Sequence, residues 1–406
     1  MDFEFSPDQQ TFAAEVDAFL DAHDDPDVFD LTRENMAQIV DTPKRRAFMA
    51  ELGAKGWLGL TWPEIYGGSA GEGIYEYLLN ERLAGRGGPQ IGKGVGIIGK
   101  TLIAHGNEFL KEKFLPMILR NEVEFAVGYS EPNAGSDAAS MRLKAERSEQ
   151  DGVSGWLLNG QKTWTTSAHF AEWYWLGTRT DPTDKHRGIT LMLMPLDQPG
   201  VTINAIKTMG GAPMGDERTN EVFIEDVFVP DDYVVGEVNR GFQYISQALD
   251  LERFTMFTFS PIKQRLDLLC EYVKTAERDG EPLREDPVTR REIARLATDA
   301  EVARVLGLRV VSESMKAERT PGAPPPTVAS SQYKLFATEF SRRLANASMD
   351  IAGPGGQLRV KTPDAPMEGR AESTYRYTVI DTIGGGSSEI QKNVIARRGL
   401  GLPKNF

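Results

Sequence analysis

The chain has 406 residues, 40% of them hydrophobic and 26% charged, with a formal net charge of −13 and one cysteine. That length allows two or three domains, or one large multi-part fold with an ample core. The acidic balance argues against nucleic acid, whose phosphates need a basic face. Cys270, alone in an apolar helical run, rules out an internal disulfide, reads as a buried inert thiol and suits a reducing cytoplasm. His23, His105, His169 and His186 have no ligand spacing, so no metal is expected. No positively charged leader and no run of 18 apolar residues is visible, so neither export nor a membrane span is expected.

The first third reads as helices. Ser6-Pro7-Asp8-Gln9 has a hydroxyl N-cap, a first-turn proline and a glutamine that closes a capping box; Phe12, Val16, Phe19 and Leu20 follow at helical spacing. Thr42-Pro43 opens a second helix with Phe48, Met49 and Leu52 inside. A loop over 57–63 and Gly67-Gly68 precede a helix through Tyr75, Leu78 and Leu79, and two more helical segments cover 96–105 and 108–119. From about Glu124 short β-rich runs alternate with turn residues: 156–158, 173–176, 189–194, 201–203 and 221–224. Asn159-Gly160 reads as a hairpin turn, and Trp156, Trp164, Trp173 and Trp175 as core for this sheet. After Pro230 and Gly236 helical periodicity returns through Phe242, Ile245, Leu249 and Glu252-Arg253. Long helices are expected over 287–315 and 331–351, separated by a proline-rich connection over 320–326. The expected fold is α+β: an N-terminal helical domain (1–122), a small antiparallel β domain (123–237) and a C-terminal four-helix-bundle-like domain (238–406).

Four segments carry chemistry. They are Tyr129-Ser130-Glu131-Pro132-Asn133-Ala134-Gly135-Ser136-Asp137, Asn159-Gly160-Gln161-Lys162-Thr163-Trp164-Thr165-Thr166, Phe223-Ile224-Glu225-Asp226-Val227-Phe228-Val229-Pro230, and Gly384-Gly385-Gly386-Ser387-Ser388-Glu389-Ile390-Gln391. In this order, over about 260 residues, they resemble the acyl-CoA dehydrogenase family of flavoproteins, and the resemblance spans essentially the whole chain. It implies FAD as cofactor, an acyl-CoA substrate and an electron-transferring flavoprotein as acceptor. It places Tyr129 and Ser130 at the flavin pyrimidine edge, where hydroxyl and amide donors face the charge that develops on reduction. Ser136 falls to the phosphates or the acyl carrier, and Trp164 and Thr166 to the ring face and N5. Ser387, Ser388, Glu389 and Gln391 resemble the adenosine-side contacts, with a capped helix start as the alternative. Gly355 and Gly356, in Ala352-Gly353-Pro354-Gly355-Gly356-Gln357, resemble a segment that reaches a neighbouring subunit's cofactor, small residues allowing close approach; an ordinary helix-ending loop is the alternative.

Oxidation of an acyl thioester to its enoyl form needs a carboxylate base for the α-proton and a polarised thioester carbonyl. Most members of the family place that glutamate at the position of Gly385. A smaller set carries it on the helix matching 250–253, and here Asp250-Leu251-Glu252-Arg253 has Glu252 at that place. The resemblance implies that Glu252 is the base and that Gly385 leaves it room while keeping an amide for the carbonyl. Asp250 and Arg253 then lie on the substrate side; an ion pair on a solvated helix face is the alternative for Glu252 and Arg253. One segment departs from the family: Lys274-Thr275-Ala276-Glu277-Arg278-Asp279-Gly280-Glu281-Pro282-Leu283 lacks the phenylalanine, and its arginine is displaced or missing, where an arginine usually reaches across a dimer to the FAD pyrophosphate. The assembly implied is a homodimer or homotetramer, or a heterotetramer with a related subunit. A non-catalytic subunit completing a partner's site and an oxygen-using oxidase on the same fold stay open.

Overall fold

The computed structural model describes residues 4–32, 42–210, 219–255, 258–320 and 323–403, with the side chains of 249–255 and 318 outside that description. The N-terminal helices begin where their caps dictate. Ser6 Oγ accepts the Gln9 amide at 3.3 Å, and Gln9 Oε1 accepts the Ser6 amide at 2.9 Å, so a complete capping box opens α1 (Pro7–Ala22). α2 (Pro43–Ala54) starts on Thr42 and buries Phe48, Met49 and Leu52. The segment 57–63 contains a single short 3-10 turn, Trp57–Gly59, that buries Trp57, while Trp62 is buried just after it. α3 (Gly73–Gly85) follows; the helix expected from Gly96 begins instead as a π turn, Gly94–Gly99, and continues as α4 (Lys100–His105). The Trp62 ring accounts for the glycine at 99, because a Cβ there would lie 2.0 Å from it. α5 (Glu108–Leu119) closes this layer.

One sheet occupies the middle of the chain: β1 (Phe125–Gly128), β2 (Lys144–Gln150), β3 (Val153–Thr166), β4 (Trp173–Arg179), β5 (Ile189–Pro195), β6 (Val201–Ile206), β7 (Thr219–Pro230) and β8 (Val234–Val235). Its order is β6-β7-β3-β2-β4-β5-β8, with β1 laid parallel on β4 and a single parallel bridge between β2 and β4; the other ladders are antiparallel. β5 is buried along nearly its whole length because its two faces serve two cores. Leu191 and Leu193 join the N-terminal helices, while Met192 and Met194 join the sheet's own cluster with Trp156, Leu158 and Val229.

Two sheet expectations are corrected. Asn159-Gly160 is not a hairpin turn; it lies inside β3 at a register shift against β7. The Asn159 amide group brackets Asp226, donating from Nδ2 at 3.0 Å and accepting the Asp226 amide at 2.9 Å, and Gly160 leaves room for Leu143. The pair makes a bulge, which wants the same small polar residues as a turn. The β2–β3 turn is Asp151-Gly152, with φ of 51° and 79° as a two-residue hairpin requires. Nor is Trp164 core: it is 59% exposed, whereas Trp156 and Trp175 are buried.

The C-terminal part is built from α6 (Gly241–Thr255), α7 (Ser260–Thr275), a small hairpin of β9 (Glu277–Arg278) and β10 (Glu281–Pro282), α8 (Pro287–Glu318), α9 (Thr327–Ala352), α10 (Arg370–Asp381) and α11 (Ser388–Val394). α9 is the hub: α6, α7, α8, α10 and α11 all pack against it. Phe340 and Leu344 are its fully buried centre.

Candidate active site

β1 delivers the chain into the segment 129–137. The turn is exact in its packing at Gly128, where a Cβ would lie 2.4 Å from the Tyr174 hydroxyl. The Tyr129 hydroxyl accepts the Trp175 indole N–H at 2.7 Å, which fixes the ring against the sheet. Ser130 offers its carbonyl to the Thr163 amide at 3.0 Å, joining this loop directly to β3. Glu131 and Ala134 exchange two backbone hydrogen bonds of 3.0 Å, and Ser136 is left exposed beyond them.

A buried ion pair holds the two segments together. Glu131 Oε1 takes Lys162 Nζ at 2.8 Å, with Lys162 fully buried and Glu131 8% exposed. The same carboxylate accepts the amides of Arg142 at 2.6 Å and Leu143 at 2.8 Å. Burial lowers the Lys162 pKa, and the Glu131 charge and hydrogen bond oppose that shift. Both residues stand inside the motifs read from sequence, but nothing in a linear pattern says that they meet.

The end of β3 is strained and open. The ladder with β7 shifts register between Lys162 and Thr165, and Trp164 takes φ of 58° with its ring in solvent. A left-handed, exposed tryptophan is unfavourable by itself and marks a place where a flat ligand can cover an aromatic face. Thr165 is buried against the Tyr174 hydroxyl at 2.8 Å, so Trp164 and Thr166 point away from the sheet core. Lys93 Nζ donates to the Thr166 carbonyl at 3.0 Å. These features fit a flavin edge and face.

The glycine turn after α10 is held from behind. Lys334 of α9, fully buried, donates to the carbonyls of Asp381 at 2.9 Å and Gly386 at 2.8 Å. Gln391, also fully buried, donates from Nε2 to the carbonyls of Gly385 at 3.1 Å and Gly386 at 3.0 Å. Gly385 and Gly386 have φ of 64° and 89°, which only glycine adopts freely. Peptide planarity turns the Gly386 and Ser387 amides away from those held carbonyls. Among the described residues no acceptor takes the amides of Gly385, Gly386 or Ser387. Ser387 caps α11 by accepting the Ile390 amide, and Ser388 donates to Glu339 at 2.6 Å. Glu389 is exposed, and its own amide together with the Ser387 hydroxyl holds its carboxyl below the usual range.

Glu252, Asp250 and Arg253 lie on α6, and their side chains fall outside the described residues. What is described is that α6 and α11 both pack on α9, so the helix of Glu252 and the turn of Gly385 share one support. Gly355 and Gly356 sit in the 3-10 turn Gly353–Gln357 that ends α9. Arg278 is present beside it, on β9, donating to the carbonyls of Ile351 at 2.7 Å and Asp350 at 3.3 Å. It thus serves as a cation on the C-terminal end of α9. No helix among the described residues is long and apolar enough to cross a membrane.

Comparison with known proteins follows the same three-part division. The family models for the acyl-CoA dehydrogenase N-terminal, middle and C-terminal domains match residues 6–122, 126–227 and 239–400. Acyl-CoA dehydrogenase FadE26 of Mycobacterium tuberculosis is 32% identical over 364 residues, covering 88% of each chain. Among solved structures, the ChsE4–ChsE5 complex from Mycobacterium tuberculosis superposes with a TM-score of 0.85 at 30% identity over 100% of both chains. A Tcur3481–Tcur3483 steroid ACAD gives the same TM-score, identity and coverage.

Proposed function

This chain belongs to the acyl-CoA dehydrogenase family of FAD-dependent oxidoreductases, and we propose that it converts an acyl-CoA thioester to its trans-2-enoyl-CoA. The FAD supplies the hydride acceptor for the β-carbon. Glu252 on α6 takes the α-proton as general base. The Gly385 amide accepts no duty within the described chain and donates to the thioester carbonyl, which makes the α-proton more acidic. The observation that carries this reading is the glycine turn. The Gly385 and Gly386 carbonyls are held inward by Lys334 and Gln391, the amides of Gly385, Gly386 and Ser387 meet no acceptor among the described residues, and the turn has no carboxylate of its own.

Around that centre Tyr129 and Ser130 face the pyrimidine edge of the flavin, and Trp164 and Thr166 its ring face and N5. Gly355, Gly356, Ser387 and Glu389 serve the adenosine side, and Gln391 serves it from behind, by holding the glycine turn; Ser136, Asp250 and Arg253 serve the thioester and its carrier. The electrons leave to an electron-transferring flavoprotein. A second reading concerns assembly. Arg278 is engaged with the end of α9 and the phenylalanine near it is absent, which supports a heterotetramer in which a related chain completes the FAD site. The ChsE4–ChsE5 complex is in line with this, and the steroid ACAD supports a bulky, ring-bearing acyl group.

The test is Glu252→Gln in the purified holoenzyme, with flavin bleaching read against straight, branched and ring-bearing acyl-CoAs. The expected outcome is an unchanged flavin content and a rate lowered on the order of 100-fold or more. A variant that keeps more than about a tenth of the wild-type rate removes Glu252 from the role of base.

A further inference from the structure

Beneath the end of β3 lies a group of charges that the dehydrogenation steps leave unused. Lys93, immediately before the π turn Gly94–Gly99, donates to the Thr166 carbonyl at 3.0 Å and to Ser167 Oγ at 3.4 Å. Ser167 has φ of 75°, so the ammonium stands where the backbone leaves β3 in a left-handed bend. Glu124, just ahead of β1, has a carboxyl enclosed by protein although the residue keeps some exposed surface. Three charged groups face it: Arg46 of α2, Lys93, and Glu172 from the loop before β4. Arg46 is held by Glu172 Oε1 at 2.8 Å and by the Phe170 carbonyl at 3.1 Å, and Glu172 Oε2 accepts the Glu124 amide at 2.7 Å. Arg46 and Glu172 therefore largely neutralise each other, which leaves Lys93 and Glu124 as the pair whose balance can vary.

We propose that Lys93 and Glu124 set the reduction potential of the bound flavin, Lys93 raising it and the ionised Glu124 lowering it. The inference rests on the placement of Thr166 at flavin N5 proposed above. Taking up two electrons and one proton leaves one negative charge on the flavin ring. A cation on the carbonyl of a residue touching the ring favours that charge, and a carboxylate beside the cation opposes it, both across a partly buried contact where water screens less than in bulk. Burial is the main cause that pushes the Glu124 carboxyl up to about 7; Arg46 and Lys93 resist the shift and Glu172 adds to it. Below that pH Glu124 is neutral and Lys93 acts alone; above it the carboxylate cancels part of the cation's effect.

The experiment is a dithionite titration of the holoenzyme without substrate, with a reference dye, at about pH 6 and about pH 8.5, on either side of the Glu124 titration. Lys93→Met is expected to lower the ratio of reduced to oxidised flavin at a fixed potential by about tenfold, equivalent to about 30 mV for a two-electron couple. Glu124→Gln is expected to raise that ratio at the higher pH and to leave it unmoved at the lower. Damage to the fold alone would move both variants the same way at both pH values, and that result overturns the proposal. So do potentials within about threefold of wild type, in ratio, for both variants; a shift in one variant only removes the other residue from the role. If Lys93→Met does not hold flavin, Lys93→Gln replaces it, and loss of flavin there too makes Lys93 a structural residue and overturns its tuning role. Unshifted potentials beside an inactive Glu252→Gln enzyme overturn this inference alone, and the reverse pattern overturns the base assignment alone.

Discussion

Lys162→Met tests whether the Glu131–Lys162 pair is what holds the loop 129–137 to the end of β3. Methionine keeps most of the lysine stem but removes the ammonium, leaving a carboxylate that is 8% exposed with the Arg142 and Leu143 amides as its hydrogen-bond partners and Arg179 as a more distant cation. Breaking a buried pair by removing one partner typically costs about 3–5 kcal/mol, because a charge loses its hydrogen-bonded counterion; Arg179 places the expectation at the lower bound. At about 1.4 kcal/mol per factor of ten, even the lower bound corresponds to roughly a hundredfold change in an opening equilibrium. The assay is native-state hydrogen exchange at the Arg142, Leu143 and Thr163 amides, which are bonded to Glu131 and to Ser130. Their protection should fall by about two orders of magnitude, while amides in α8 and α9 keep theirs. The double variant Glu131→Gln with Lys162→Met should recover much of the loss, since no unpaired charge remains. Protection within about threefold of wild type in Lys162→Met, or a double variant as open as the sum of the singles, would refute the reasoning.

Gly128→Ala should destabilise the sheet by about 1–3 kcal/mol by overpacking, because its Cβ would meet both the Tyr174 ring carbon Cζ and the hydroxyl at 2.4 Å; an unchanged melting temperature would contradict that close packing. Glu124 has a folded pKa raised to about 7, so the native state binds the extra proton and stability falls as pH rises from the ordinary carboxyl range to about 7. The melting temperature of Glu124→Gln should therefore gain on wild type across that window and stay parallel above it; a gap independent of pH would contradict the titration. Gly385→Glu on a Glu252→Gln background should restore some dehydrogenation, measured by flavin bleaching, if both positions address the same α-carbon; no recovery with flavin still bound and the melting temperature kept despite the left-handed φ of 64° would count against that shared geometry. Trp164→Ala should weaken flavin retention on dialysis while leaving the melting temperature of the flavin-free protein nearly unchanged, because a ring 59% exposed contributes little to the core.

Much of the architecture was readable in the chain because it depends on neighbours in sequence. The Ser6–Gln9 box, the Thr42 cap and the apolar stripe of α1 are local and appear as read. So is the change from helical to alternating texture near Glu124. The Asn159-Gly160 reading failed for a local reason too: a bulge and a two-residue turn favour the same pair, and what separates them is that β3 continues to Thr166 against β7. Trp164 looked like core because tryptophan is large and apolar; the register shift beside it turned the ring outward.

By itself the sequence determined the three-part order, the glycine turn without a carboxylate, and Glu252 on the helix that follows the sheet. Those are matters of residue type and spacing. Only the tertiary structure decided that Glu131 and Lys162 are one buried pair, that Lys334 and Gln391 clamp the glycine turn from behind, and that Lys93 stands on the Thr166 carbonyl. These contacts join residues 31, 52, 6 and 73 positions apart. Apart from the Gln391 contact they close long loops, so they exist only once the cores have packed, and side-chain identity alone does not say which distant carbonyl a buried ammonium will find.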